Sequence, residues 1–351
     1  MKRFSRISIL IVLSMIVGTM LCFTGCESDE RTVLNIYNVG DYIDLEVLDI
    51  YEQENPDVKI NYETFATNEE MYIKVANGSS AYDVIFPSEY MVERLIQEDL
   101  LLEIDKSNIP EFSNVGKQNL DHPYDMGNRY SIPYMWGTMG ILYNKTIVQE
   151  PVTTWKILWD PKYKGEVLML DSERDTVAIT MRMLGHSMNS KDDAELEEAK
   201  NALIAQKDVV LAYCGDEVKD KMIDNEGAMT IAWSGDAFFC IDENPDLAYA
   251  VPEEGSNLWF DSMVIPKTTT HKEEAEKFIN FMCRPDIALM NAEYIGYSTA
   301  NESAVKMMDE EIQNDPLRYP DLSTLQNMEV FTYDKELSRK ISDIWLQFKI
   351  G

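Results

Sequence analysis

From residue 33 onward, short apolar segments of strand length alternate with stretches of helical periodicity, and this alternation is what most restricts the fold. Val33–Tyr37 reads as a strand and Asp44–Glu54 as a helix. Asp57–Phe65 is the next strand, and Asn68 is placed to cap a helix through Met71, Val75 and Ala76. Asp83–Phe86 is a short apolar strand, followed by a helical pattern from Tyr90 to about Leu102. The pattern resumes after Tyr130-Ser131-Ile132-Pro133-Tyr134. There, Gly140–Tyr143 reads as a strand, 153–160 as helical, and Ser190 can cap a charged helix running to Gln206; Ala228–Ala232 and Ser262–Ile265 read as further strands. This order predicts an α/β fold with a largely parallel sheet. No repeat or low-complexity linker divides the 351 residues, so two α/β lobes joined by several strands are expected.

The amino terminus predicts export. Lys2, Arg3 and Arg6 precede an uncharged apolar run from Ile7 to Leu21, shorter than the ~20 residues of a membrane-spanning helix. The run ends in Phe23-Thr24-Gly25-Cys26, and a small residue before a Cys resembles a bacterial lipobox. Residues 1–25 are expected to be removed and Cys26 to carry lipid, with an uncleaved anchor helix as the alternative. The remaining cysteines of the mature chain, Cys214, Cys240 and Cys283, form no CxxC pair and have no metal-ligand spacing, which suggests small buried hydrophobes rather than a disulfide framework or a zinc site.

Asp and Glu number 62 against 31 Lys and Arg, for a net charge of −31, the wrong sign for tracking a phosphate backbone. Removing residues 1–25 would take away three positive charges and no acid, so the acidity belongs to the exported part. Nucleic acid is therefore excluded as a partner. A cationic solute suits such a field, provided that carboxylates line a cleft, because screening beyond ~8 Å erases diffuse surface charge.

In open α/β sheets ligands sit beyond the carboxyl ends of the strands. In this chain those positions are Asn38-Val39-Gly40-Asp41-Tyr42, Pro87-Ser88-Glu89-Tyr90, Asp171-Ser172-Glu173-Arg174-Asp175, Trp233-Ser234-Gly235-Asp236, Trp259-Phe260-Asp261-Ser262 and Ile295-Gly296-Tyr297. Rings paired with carboxylates suit an organic ammonium ion: the ring face attracts the cation and the carboxylate accepts its N–H bonds. A strand-end Trp can equally be core, and a strand-end Asp can equally cap a helix. GxGxxG, P-loop, GxSxG and HExxH signatures are all absent, and His122, His186 and His271 are scattered, so neither a cofactor nor a metal is suggested.

Tyr37-Asn38-x-x-x-Tyr42, Tyr82-Asp83-Val84-x-x-Pro87-Ser88-x-Tyr90, Tyr130 to Gly137, Trp155-x-x-Leu158-Trp159, Trp259-x-Asp261-Ser262 and Ile295-Gly296-Tyr297 together resemble the spermidine/putrescine-binding proteins of bacterial ABC importers, in lipoprotein form. The resemblance implies a periplasmic-binding-protein-like type II fold, with two α/β lobes and a ligand cleft between them. The first lobe is expected to comprise 26–137 with 262–301, and the second 138–261 with 302–351. By position, Tyr42, Tyr90, Trp233, Trp259 and Tyr297 match aromatic ligand contacts, Asp41, Asp175 and Asp261 acidic ones, and Ser88 a polar one. Val39 stands where that family commonly has Trp, Ser172 where a spermidine binder has Asp, and Phe331 near an expected Gln. Gly40 and Glu173 flank those positions, and Asp171 or Glu173 could replace the missing acid. The implied function is capture of putrescine or spermidine, without catalysis, by a monomer anchored to the outer face of the cell membrane, which hands its ligand to an ABC permease. Capture of another cationic or small organic solute is the nearer alternative. An exported hydrolase using the cleft carboxylates is the more distant one.

Overall fold

A computed structural model describes residues 31–78, 81–322, 325 and 327–350; the expected signal segment 1–25 and Cys26 lie outside them. The chain opens with β1 (Thr32–Val39), α1 (Leu45–Glu54), β2 (Val58–Phe65), α2 (Asn68–Ala76), β3 (Val84–Ile85) and α3 (Glu89–Gln97). β4 (Ser131–Asn144) follows an irregular stretch, and then β5 (Val167–Leu170), α4 (Glu173–Leu184), α5 (Asp193–Gln206), β6 (Val210–Cys214), α6 (Val218–Ile223), β7 (Met229–Trp233), α7 (Ser234–Glu243) and β8 (Leu247–Ala250). β9 (Leu258–Val264), α8 (Lys272–Met282), α9 (Pro285–Ile295), β10 (Ser298–Thr299), α10 (Glu302–Val305), α11 (Glu310–Gln313) and α12 (Lys335–Ile350) complete it.

The strands follow the order β2-β1-β3-β9-β4-β7-β5-β6, with β8 and β10 also paired to β4. The sheet is parallel at both ends, where helical crossovers join β1 to β2 and β3, and β5 to β6 and β7. It is antiparallel at the centre, which corrects the expected largely parallel sheet. β4 causes this. Ser131–Thr138 pair antiparallel with β9, whereas Met139–Tyr143 pair antiparallel with β7 and Ile141–Asn144 with β8. One strand thus carries the chain from the first lobe into the second.

Each lobe has its own core. β1 is buried on both faces, with Leu34 and Ile36 in one cluster and Tyr37 in the cluster behind it, as expected of a strand covered by helices on both sides. The second lobe packs Ile141, Leu168, Met169, Ile231 and Phe238 together. α4, α5 and α12 enclose a satellite cluster around Val177, Leu203 and Phe348. Met308, Ile312 and Tyr319 pack against the first lobe's core. Cys214, Cys240 and Cys283 are buried and unbridged.

Local differences from the sequence reading have local causes. Thr67 rather than Asn68 caps α2, because the Asn68 amide is engaged with Ser88. Asp192 rather than Ser190 caps α5, accepting from the N–H groups of Ala194 and Glu195. The 153–160 segment forms a 3-10 turn at Trp155–Trp159. Gly140–Tyr143 is one part of the longer β4, which passes through Pro133 with a shift of register before Met135. At Gly137 a side chain is excluded, since a Cβ there would lie 2.4 Å from Ser234 Oγ and 2.5 Å from the Trp259 indole.

Candidate functional site

Alternation along β9 puts Trp259 and Asp261 on one side of the strand. The Asp261 carboxylate accepts the Tyr42 hydroxyl at 2.7 Å, and Ser88, bridged to it through the backbone, supplies a second hydroxyl. The Tyr42 ring stands edge-on to Tyr297 at 5.4 Å, and the Trp259 ring is also 5.4 Å from Tyr297. The Trp259 N–H is spent on the Thr138 carbonyl at 3.3 Å, which fixes the indole and leaves its rings as apolar surface. Burial raises the Asp261 carboxyl above its ordinary value, while hydrogen bonds from Ser88 and Tyr42 oppose the shift. Burial likewise pushes the Tyr42 and Tyr297 phenols well above their usual range, so both remain donors.

Across from this cluster, the start of α7 closes on Tyr297. A Cβ at Gly235 would lie 1.5 Å from the Tyr297 ring, so only glycine admits this packing. The Tyr297 hydroxyl donates to Asp236 at 2.8 Å, and the same carboxylate oxygen is 3.6 Å from Lys219 Nζ. Burial raises the Asp236 carboxyl and the Lys219 charge opposes it. Trp233, the last residue of β7, packs against the cores of both lobes.

A second acid and aromatic group forms where α4 begins. Ser172 caps the helix at the Asp175 N–H, and its hydroxyl donates to the Asp175 carboxylate at 2.6 Å. Burial pushes the Asp175 carboxyl up to about 6 against the opposing influence of Ser172 and Arg174. The Tyr90 hydroxyl donates to Glu69 at 3.2 Å, and its ring stands edge-on to buried Phe331 at 6.4 Å. The Arg174 guanidinium lies over the Tyr90 ring at 4.0 Å and 5.4 Å from that of Phe331. Between the two groups, buried Glu89 accepts the Phe260 N–H at 3.0 Å, while its other oxygen has no partner among the described residues. Burial pushes that carboxyl up to about 8, with the Asp261 charge adding to the rise.

The fold therefore gathers Tyr42, Ser88, Trp259, Asp261 and Tyr297 into one cluster, and Tyr90, Ser172, Asp175 and Phe331 into another. Asp41 is exposed at the rim, where it accepts the Tyr294 hydroxyl at 2.9 Å. Glu173 turns toward α12 and accepts from Ser342 at 2.8 Å. Half-buried Val39 ends β1, and Gly40 turns the chain at φ +33° with its N–H on the Phe65 carbonyl. Glu89, Asp236 and Arg174 stand in the strand-end stretches named from the sequence but were not singled out there as ligand contacts. All three sit within a first helical turn after a strand end, which is the only signal that could have found them. An open groove of about 650 Å³ lined by Tyr72, Arg94 and Tyr333 contains none of these site residues.

Residues 46–320 match the bacterial extracellular solute-binding protein family. The chain is 36% identical over 311 residues to the spermidine/putrescine-binding periplasmic protein of Escherichia coli, covering 88% of this chain and 89% of that one. It is 27% identical over 372 aligned positions to a putrescine-binding periplasmic protein of Pseudomonas aeruginosa, covering the full length of both. The crystal structure of the spermidine/putrescine ABC transporter substrate-binding protein from Streptococcus pneumoniae superposes with a TM-score of 0.81 at 43% identity, covering 91% of this chain and 99% of that one. On this combined match the chain belongs to the bacterial extracellular solute-binding proteins, as a two-lobed member.

Proposed function

We propose that this protein captures putrescine or spermidine outside the cytoplasm and delivers it to an ABC permease without chemical turnover. The observation that carries this reading is the Asp261 carboxylate held among Tyr42, Trp259 and Tyr297, which offers an ammonium group both a charge and ring faces. The curated relatives named for spermidine and putrescine support the choice of ligand. The sequence reading assigns 26–137 with 262–301 to the first lobe and 138–261 with 302–351 to the second. The packing of Met308 and Tyr319 supports extending the first lobe past residue 301. Cys26 anchors a monomer to the outer face of the membrane through lipid.

Mass spectrometry of small molecules released from the purified protein, with thermal shift as the second arm, tests the ligand. A diamine or triamine is expected to co-purify or to raise the melting temperature, and an anionic analogue of the same length is not. Absence of a shift with either amine at millimolar concentration contradicts the reading. For the anchor, the mature amino terminus in the native host is expected at lipid-modified Cys26. An intact Met1 end contradicts it.

A further inference from the structure

Glu89 is an acid with 1% exposure, and it stands in the place of a missing strand. β3 ends at Ile85, whose partner on β9 is Val264, so the edge of β9 that runs back from there toward Leu258 faces no strand beyond a single bridge to Ser88. The other edge of β9 is taken by β4. On the open edge, the N–H groups of alternate residues find separate acceptors. Ser262 donates to the Pro87 carbonyl at 3.0 Å and Leu258 to the Glu329 carbonyl at 2.9 Å, while Phe260, between them, donates to Glu89 Oε2 at 3.0 Å. A buried N–H without an acceptor is costly, so this carboxyl helps to fix the course of the strand at the residue flanked by Trp259 and Asp261. Its other oxygen, Oε1, has no partner among the described residues, and neither have the buried hydroxyls of Tyr124 and Ser262. Ser262 shares a face of β9 with Phe260, and the Tyr124 ring lies 6.4 Å from the Phe260 ring, so these hydroxyls stand behind the strand that presents Asp261.

We infer that Glu89 is a positioning residue of the proposed site: its carboxyl completes the open edge of β9 that aims Trp259 and Asp261, and it releases a proton when an ammonium ion settles on Asp261. In the free protein the proton sits on Oε1, which leaves Oε2 to accept the Phe260 N–H. The groups that face this carboxyl are Asp261 on β9, Arg174 on α4, Tyr124 before β4 and Tyr90 on its own helix. Burial and then the Asp261 charge raise it to about 8, against the Phe260 N–H and Arg174. His122, packed on the Phe260 ring at 4.0 Å, is lowered by burial and stays neutral above pH 7. An ammonium ion on Asp261 cancels the repulsion from that carboxylate, so the Glu89 O–H bond breaks, its proton passes to solvent, and a second negative charge stands behind the ligand. The inference rests on the polyamine reading above.

The test is calorimetric titration of putrescine and spermidine into the wild-type protein and the Glu89→Gln and Glu89→Ala variants at about pH 7.0 and 8.5, in buffers of different ionisation enthalpy, with thermal unfolding to confirm that each is folded. This range lies above the titration of Asp175 near 6. Wild-type affinity for the amine that binds is expected to rise by about threefold or more across it, with protons released on binding. Glu89→Gln, which keeps an acceptor for the Phe260 N–H but cannot ionise, is expected to lose that rise and that release. Glu89→Ala, which lacks the acceptor as well, is expected to bind at least fivefold more weakly than Glu89→Gln at either pH. A Glu89→Gln protein that keeps the wild-type pH dependence, a wild-type affinity that does not rise, or a folded Glu89→Ala protein that binds as tightly as Glu89→Gln overturns the inference. If Glu89→Ala does not fold, the Glu89→Gln comparison alone decides. Wild-type protein that binds neither amine overturns the polyamine reading itself, an outcome distinguishable without any variant.

Discussion

The two acid and aromatic groups, which we propose as the two ends of the ligand cleft, use the same ingredients in opposite electrostatic balance. At one end, the Asp261 carboxylate is satisfied by the Tyr42 and Ser88 hydroxyls, beside the mutually packed rings of Tyr42, Trp259 and Tyr297. At the other, Asp175 is satisfied by the cap hydroxyl of Ser172, and the ring of Tyr90 is already covered by Arg174. A carboxylate held only by neutral donors keeps its charge available to a ligand, whereas one beside a fixed cation has part of that charge compensated before a ligand arrives. The presence of acids and rings at a strand end is therefore not enough to define an ammonium site. In the proposed site, the neighbouring charge decides.

The comparison breaks if the two acids prove equivalent. Asp261→Asn keeps the shape but leaves a desolvated ammonium without its partner, a loss of about 2–5 kcal/mol. Titration with putrescine is expected to show affinity reduced by more than tenfold in a variant that unfolds normally. Asp175→Asn is expected to cost less, roughly threefold to fivefold, because Arg174 compensates part of that charge. Equal losses in the two variants would erase the distinction between the ends.

Changing pH sharpens the same comparison with a smaller effect. Asp175 is held near 6 and Glu89 near 8, both above their ordinary values because burial penalises the charged form. The folded, unliganded protein thus binds these protons more tightly than the unfolded chain does. Their contribution to stability is complete below the ordinary carboxylate range and is lost as pH rises through about 6 and then about 8. A bound ammonium favours the ionised acids, so ligand binding releases protons and strengthens with pH. For one group titrating near 6, affinity should rise roughly fourfold between about pH 5.5 and 7.5. Calorimetry in buffers of different ionisation enthalpy measures the released protons directly. Asp261→Asn should leave the part of this dependence due to Asp175 in place.

Much of the frame was legible because its causes are local. The strand of β1 and the helix read from Asp44 follow from periodicity, and in the structure Asp44 caps that helix by accepting from the Glu46 N–H. β4 was not legible as one strand: only Gly140–Tyr143 reads as a strand, because Pro133, Gly137 and Gly140 interrupt the longer run. Those glycines are instead required by side chains from β9, α7 and β8 that only the tertiary fold brings near. The antiparallel centre followed from that missed continuity. In the site, period-two alternation sufficed to pair Trp259 with Asp261, since both lie on one strand. It could not show that Glu173 turns toward α12 while Asp175, two residues later, turns inward, because helix rotation at a first turn is set by packing. Nor could spacing show that Arg174 folds back onto Tyr90, a contact between residues 84 positions apart in sequence.

The central claim is that the Asp261 end receives the ligand's ammonium group, and a crystal structure of the putrescine complex tests it most directly. The account predicts one ammonium within hydrogen-bond distance of the Asp261 carboxylate, with the methylene chain against Trp259 and Tyr297 and Arg174 still on Tyr90. A putrescine molecule bound with neither ammonium at Asp261 would contradict it.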